Sequence, residues 1–66
     1  MQILVNGVAR EVPTAATVAV LITDLGLQGQ RCAAELNGDL LPRSHWAERV
    51  LAEGDRLEVV RAIGGG

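Results

Sequence analysis

The chain alternates between two hydrophobic periods. Residues Gln2 to Val12 read as two alternating runs, Ile3 and Val5 on one side and Val8 and Val12 on the other, broken at Asn6-Gly7. Both residues of an Asn-Gly pair tolerate positive φ, as a type I′ turn demands, so the spacing predicts a tight hairpin. Pro13 closes its second strand. The period then lengthens: Val18, Leu21, Ile22 and Leu25 fall at i, i+3, i+4 and i+7, the single stripe of a short amphipathic helix. Thr14 or Thr17 is placed to cap its start, Gly26 to supply the left-handed residue after its end, and Leu27 to make the accompanying apolar contact.

Alternation returns at Cys32–Asn37, with Cys32, Ala34 and Leu36 on one face, and Asn37-Gly38 marks a second tight turn. Leu40 and Leu41 form a short strand stopped by Pro42. Ser44 is placed to start one helical turn carrying His45, Trp46 and Ala47. Trp46, Val50 and Leu51 are expected to cluster at one end of the core, and Gly54-Asp55 to turn the chain. Arg56 to Ile63 then reads as a last strand, with Leu57 and Val59 on one face and Val60 and Ala62 on the other. Hairpin, helix, strand, short strand and final strand make an α+β arrangement in two layers. This order is that of the β-grasp: a mixed sheet of four to five strands, one helix packed across it, and first and last strands parallel. The expected division is a domain over residues 1–63 and a flexible tail over 64–66.

With 66 residues the chain makes one domain with a small core. It contains no apolar run near the roughly 20 residues of a membrane span and no signal-type start, so a cytoplasmic monomer with no membrane contact is expected. A single cysteine, Cys32, offers neither an internal disulfide nor a metal site, and it reads as a small core residue. The net charge of -2, without a basic stripe, and Trp46 as the sole aromatic exclude nucleic acid as a partner. His45 has no second ligand beside it and reads as a surface residue, while Arg43 and Ser44 read as turn and cap for Trp46. No Ser-His-Asp set or carboxylate pair is legible, so the chain is expected not to be an enzyme.

What remains is the ending, Gly64-Gly65-Gly66. Without Cβ, an arm of roughly 10 Å threads a narrow cleft and brings its carboxyl carbon against a nucleotide. A carboxylate resists nucleophiles until it is activated, most simply as an acyl-adenylate formed from ATP. A sulfur nucleophile such as a persulfide can then displace AMP, on the way to a thiocarboxylate. Val60, Ala62 and Ile63, just before this arm, are the expected partner-binding residues, because a protein docking on several enzymes needs exposed apolar surface.

The second half carries a resemblance. It reads Ala34-Glu35-Leu36-Asn37-Gly38, Leu41-Pro42-Arg43-Ser44-His45-Trp46, Leu51-Ala52-Glu53-Gly54-Asp55-Arg56-Leu57-Glu58-Val59-Val60 and Ala62-Ile63-Gly64-Gly65-Gly66. This resembles the ThiS family of ubiquitin-like sulfur carriers in thiamine biosynthesis. The resemblance implies that Gly66 is the attachment point and that Gly64 and Gly65 give it reach. It further implies a ThiF-type adenylating enzyme using ATP and magnesium, a cysteine desulfurase as sulfur source, and the thiazole synthase ThiG as acceptor of the sulfur. No cofactor bound permanently to the chain itself is implied. A small subunit like that of molybdopterin synthase, and a ubiquitin-like protein modifier, share the activated glycine and stand as alternatives.

Overall fold

The computed structural model describes residues 1–61. Two β-hairpins flank a helix in the chain: β1 (Gln2–Val5) and β2 (Val8–Glu11), α1 (Val18–Asp24), then β3 (Cys32–Leu36) and β4 (Asp39–Leu41). A 3-10 turn over Arg43–His45 and the last strand, β5 (Arg56–Arg61), complete it. The sheet order is β2-β1-β5-β3-β4, so the last strand is the central one. It runs parallel to β1, with Leu4 opposite Arg56 and Val5 opposite Leu57, and antiparallel to β3, from Cys32 opposite Arg61 to Leu36 opposite Leu57. This is the β-grasp order expected, with five strands.

The two Asn-Gly pairs make both hairpins. Asn6 and Gly7 take φ of 49° and 83°, Asn37 and Gly38 of 53° and 88°, which are the positive values of a type I′ turn. Thr17 is the helix cap, its Oγ1 accepting from the Val20 N–H at 3.3 Å. The two preceding helix donors are satisfied from outside: Val18 N–H reaches the Arg49 carbonyl and Ala19 N–H the Trp46 carbonyl, each at 3.0 Å. At the other end Gly26 N–H bonds the Thr23 carbonyl and Leu27 N–H the Ile22 carbonyl, the paired bonds of a Schellman ending. Seven residues are too few for a stable isolated helix, so α1 stands because its stripe is buried. Val18, Leu21 and Ile22 pack on Ile3, Val5, Ala34, Leu36, Leu57 and Val59 of the sheet, with Trp46 and Leu51 closing one end.

Two expectations fail. Val50 is 52% exposed and takes no part in the cluster of Trp46 and Leu51, because its backbone is used to bridge Thr17 at the helix start. Ser44 makes no cap: the 3-10 turn starts after Pro42 without a side-chain hydrogen bond. Val8 lies opposite Val5 and is exposed, since β2 is an edge strand and all four of its residues face solvent. The last strand is described to Arg61, so its expected extension over Ala62 and Ile63 lies outside the described residues.

Candidate functional site

β5 carries the chain toward its end from the middle of the sheet, and its alternation divides the residues sharply. Leu57 and Val59 point into the core, while Arg56, Glu58 and Val60 point to the face that α1 leaves uncovered. Register brings neighbours to that face. Ala33 of β3 stands opposite Val60, Glu35 opposite Glu58, and Leu40 of β4 opposite Glu35. These residues with Arg56 line a shallow hollow on the open sheet. Val60 and Leu40 are each 68% exposed there, an apolar pair on either side of two carboxylates. Like charges directly opposite on neighbouring strands repel, and among the described residues no ion pair neutralises Glu35 or Glu58.

Of the residues singled out by sequence, Val60 is therefore on the open face as expected. Ala62, Ile63, Gly64, Gly65 and Gly66 lie outside the described residues. Cys32 is partly buried at the rim of the core, opposite Arg61. His45 is exposed, and among the described residues no group of His, Cys, Asp or Glu is arranged to hold a metal ion. No described helix is long and apolar enough to cross a membrane. Asp55 shapes its turn as expected, its carboxylate accepting from the Ala52 N–H at 2.8 Å and from Asn37 Nδ2 at 3.0 Å.

Arg43 does more than set a turn. Its guanidinium lies over the Trp46 ring and donates to the Gln30 carbonyl, while Trp46 Nε1 donates to the Leu41 carbonyl. The contribution of Ala33, Glu35 and Leu40 to the face around Val60 was not read from sequence. The signal was present: strand alternation sets Ala33 and Glu35 opposite in sense to the buried Ala34 and Leu36.

Also unread was the double use of Asn6. Its Oδ1 accepts from the Val59 N–H at 2.8 Å and its Nδ2 donates to the Val59 carbonyl at 3.3 Å, while its own N–H bonds the Leu57 carbonyl. At the start of β5, Asn37 donates its N–H to the Arg56 carbonyl and accepts from the Arg56 N–H through Oδ1. The turn residues of both hairpins thus grip the central strand, one at its first residue and one past its middle.

Comparison with known proteins adds to this geometry. The family model described as "ThiS family" matches residues 3–66. The sulfur carrier protein ThiS of Escherichia coli is 32% identical over the full length of both chains. A thiazole synthase of Paramagnetospirillum magneticum is 36% identical over all 66 residues, but the chain spans only 20% of that relative. The crystal structure of a thiamine biosynthesis protein (ThiS) from Geobacter metallireducens superposes with a TM-score of 0.81, at 32% identity and full coverage of both chains.

Proposed function

Because the chain belongs to the ThiS family, we propose that it is a sulfur-carrier protein of thiamine biosynthesis, a protein cosubstrate on which other enzymes act. The observation that carries this reading is the family match along residues 3–66, which takes in the glycines at the end as well as the fold. Gly66 is the residue charged, and Gly64 and Gly65 are the thread that lets it enter a partner's cleft. A ThiF-type enzyme, using ATP and magnesium, joins AMP to the Gly66 carboxylate and releases pyrophosphate. The terminal sulfur of a desulfurase-derived persulfide attacks the acyl carbon and expels AMP. A thiol reductant then splits the resulting acyl disulfide and leaves the thiocarboxylate.

The acceptor partner is a thiazole synthase. That reading is supported by the relative that carries this domain as a fifth of a chain named thiazole synthase, since fusion joins parts that work together. Val60 on the open face, together with Ala62 and Ile63 that follow it in sequence, forms the docking set for these enzymes. Exposed apolar residues in a shallow hollow match that use.

Intact mass tests the reading. After incubation with ATP, the activating enzyme, a desulfurase system and a thiol, the chain gains the difference between one sulfur and one oxygen, located at Gly66. No gain, under conditions that charge the Escherichia coli carrier, overturns it.

A further inference from the structure

Asn6 meets two demands that rarely fall on one side chain. Its backbone sits at φ 49°, the left-handed region where Asn, Asp and Gly are at home and most other residues are not. Its carboxamide offers one acceptor and one donor to the two backbone groups of Val59. Glycine satisfies the first demand only. Aspartate satisfies the first and keeps the acceptor but lacks the N–H donor, and glutamine has both groups but no ease at positive φ.

The geometry explains why a side chain is needed. β1 pairs with β5 through Leu4 and Val5, and the chain then turns back at Asn6-Gly7, so β1 has no further residue to lay beside Val59. The Asn6 carboxamide takes the place of that missing peptide unit. It extends the parallel pairing by one step, on the side of β5 that β3 does not cover. Among the described residues, Val60 and Arg61 are then paired only with Ala33 and Cys32 of β3.

We propose that Asn6 is a positioning residue for the chemistry at Gly66: by holding Val59 on its β1 side, it fixes the part of β5 that leads to the chain's end and so steadies the presentation of Gly66 to the partner. The inference rests on the carrier reading above. A partner that docks on the face around Val60 while acting on Gly66 must span a set distance between the two. With Val59 held, that distance varies less before binding, and less ordering remains to be done in the complex. Without the grip, β5 is secured on one side only from Val59 onward, and more of its end frays.

Asn37 supplies the control. Its carboxamide accepts from the Arg56 N–H and donates to Asp55, at φ 53° in its own Asn-Gly turn, but at the end of β5 remote in sequence from the glycines. Asn6→Gly and Asn37→Gly each keep the turn backbone and remove one grip. Amide exchange and adenylation by the activating enzyme, followed as pyrophosphate release at varied carrier concentration, separate a positioning role from a structural one. In Asn6→Gly, Val59 amide protection falls about tenfold beyond the change in global stability, and the KM for the carrier rises about fivefold with kcat within twofold. Asn37→Gly, with stability reduced at least as much, keeps its KM within twofold of wild type. Asn6→Asp, which retains the acceptor for Val59 N–H, lies between and guards against a variant that does not fold. An unchanged KM in folded Asn6→Gly, or equal KM changes in the two glycine variants, overturns the inference while the carrier reading stands. A wild-type chain that is not adenylated at all overturns both.

Discussion

Arg43 and Trp46 meet face on, the guanidinium carbon 4.9 Å from the ring centroid, and the same guanidinium donates to the Gln30 carbonyl at 2.8 Å. One side chain therefore ties the 3-10 turn to the link between α1 and β3. Trp46 is 6% exposed and is held from below by its own bond to Leu41, so the ring is a fixed platform and Arg43 a lid upon it.

Removing that lid has a measurable cost. A cation over an indole contributes ~0.5–1 kcal/mol at an exposed site, and the bond to Gln30 adds a similar amount. Arg43→Ala is expected to lose about 1–2 kcal/mol, and Arg43→Lys to recover less than half, because an ammonium lacks the planar fork that stacks and donates together. Urea denaturation followed by fluorescence reads this directly, since Trp46 is the sole aromatic residue. Equal stability of Arg43→Ala and wild type would show that the lid contributes nothing.

Leu57 is fully buried where β5 meets both neighbours, opposite Val5 on one side and Leu36 on the other. A chain of this size has about 3–10 kcal/mol of stability in all. Leu57→Ala, at about 3–4 kcal/mol for lost transfer energy and cavity, consumes much of it. Thermal unfolding by circular dichroism should show a drop in Tm well beyond that of any exposed substitution on the same strand, with a measurable unfolded fraction at 37 °C. A small shift would mean that the site collapses around the missing atoms.

Ala15 sits at φ 70° without being glycine. An L-residue in that region costs about 1–2 kcal/mol, whereas glycine there costs only the extra freedom of the unfolded chain, about 0.4–1 kcal/mol. Ala15 is exposed, so the exchange loses little packing. Ala15→Gly is therefore expected to stabilise the domain by about 0.5–1 kcal/mol, seen as a higher denaturation midpoint with unchanged slope. A lower midpoint would mean that the methyl group is held in contacts worth more than the strain.

How much of this was legible in sequence follows from the range of the interactions involved. Asn6-Gly7, Asn37-Gly38, Thr17 and Gly26 act on residues within four positions of themselves, and each turn or cap stands where the pattern placed it. The β-grasp order followed from counting those elements. Val50 and Ser44 were misread because their surroundings are set from elsewhere: Val50 by the helix start that its backbone bridges, and Ser44 by a 3-10 turn that starts after Pro42, one residue earlier than the pattern placed it. The grip of Asn6 on Val59 spans 53 residues, and no local pattern separates it from an ordinary turn asparagine. The face around Val60 was half legible, since alternation names the residues but only register shows that Leu40, Glu35 and Glu58 stand in one row.

That row separates two effects that a single substitution would confuse. Val60 is exposed and opposite Ala33, so Val60→Asp removes apolar surface from the open face without opening the core, and the fold should lose about 1 kcal/mol, the range of strand preference, and remain folded. If the face docks on a thiazole synthase, the same change places a desolvated carboxylate in the interface, and binding should weaken at least tenfold, about 1.4 kcal/mol. Glu58→Lys gives the contrast. It replaces a repelling cross-strand pair with an attracting one, and so should stabilise the domain by about 0.2–1 kcal/mol while altering the charge of the same hollow. Calorimetric titration of both variants against the synthase, beside their denaturation midpoints, tests the face. A Val60→Asp protein that is folded and binds as tightly as wild type would place the docking surface elsewhere. A Glu58→Lys protein that is more stable yet binds more weakly would show that this row meets the partner, and that its charge was kept for recognition at the expense of stability.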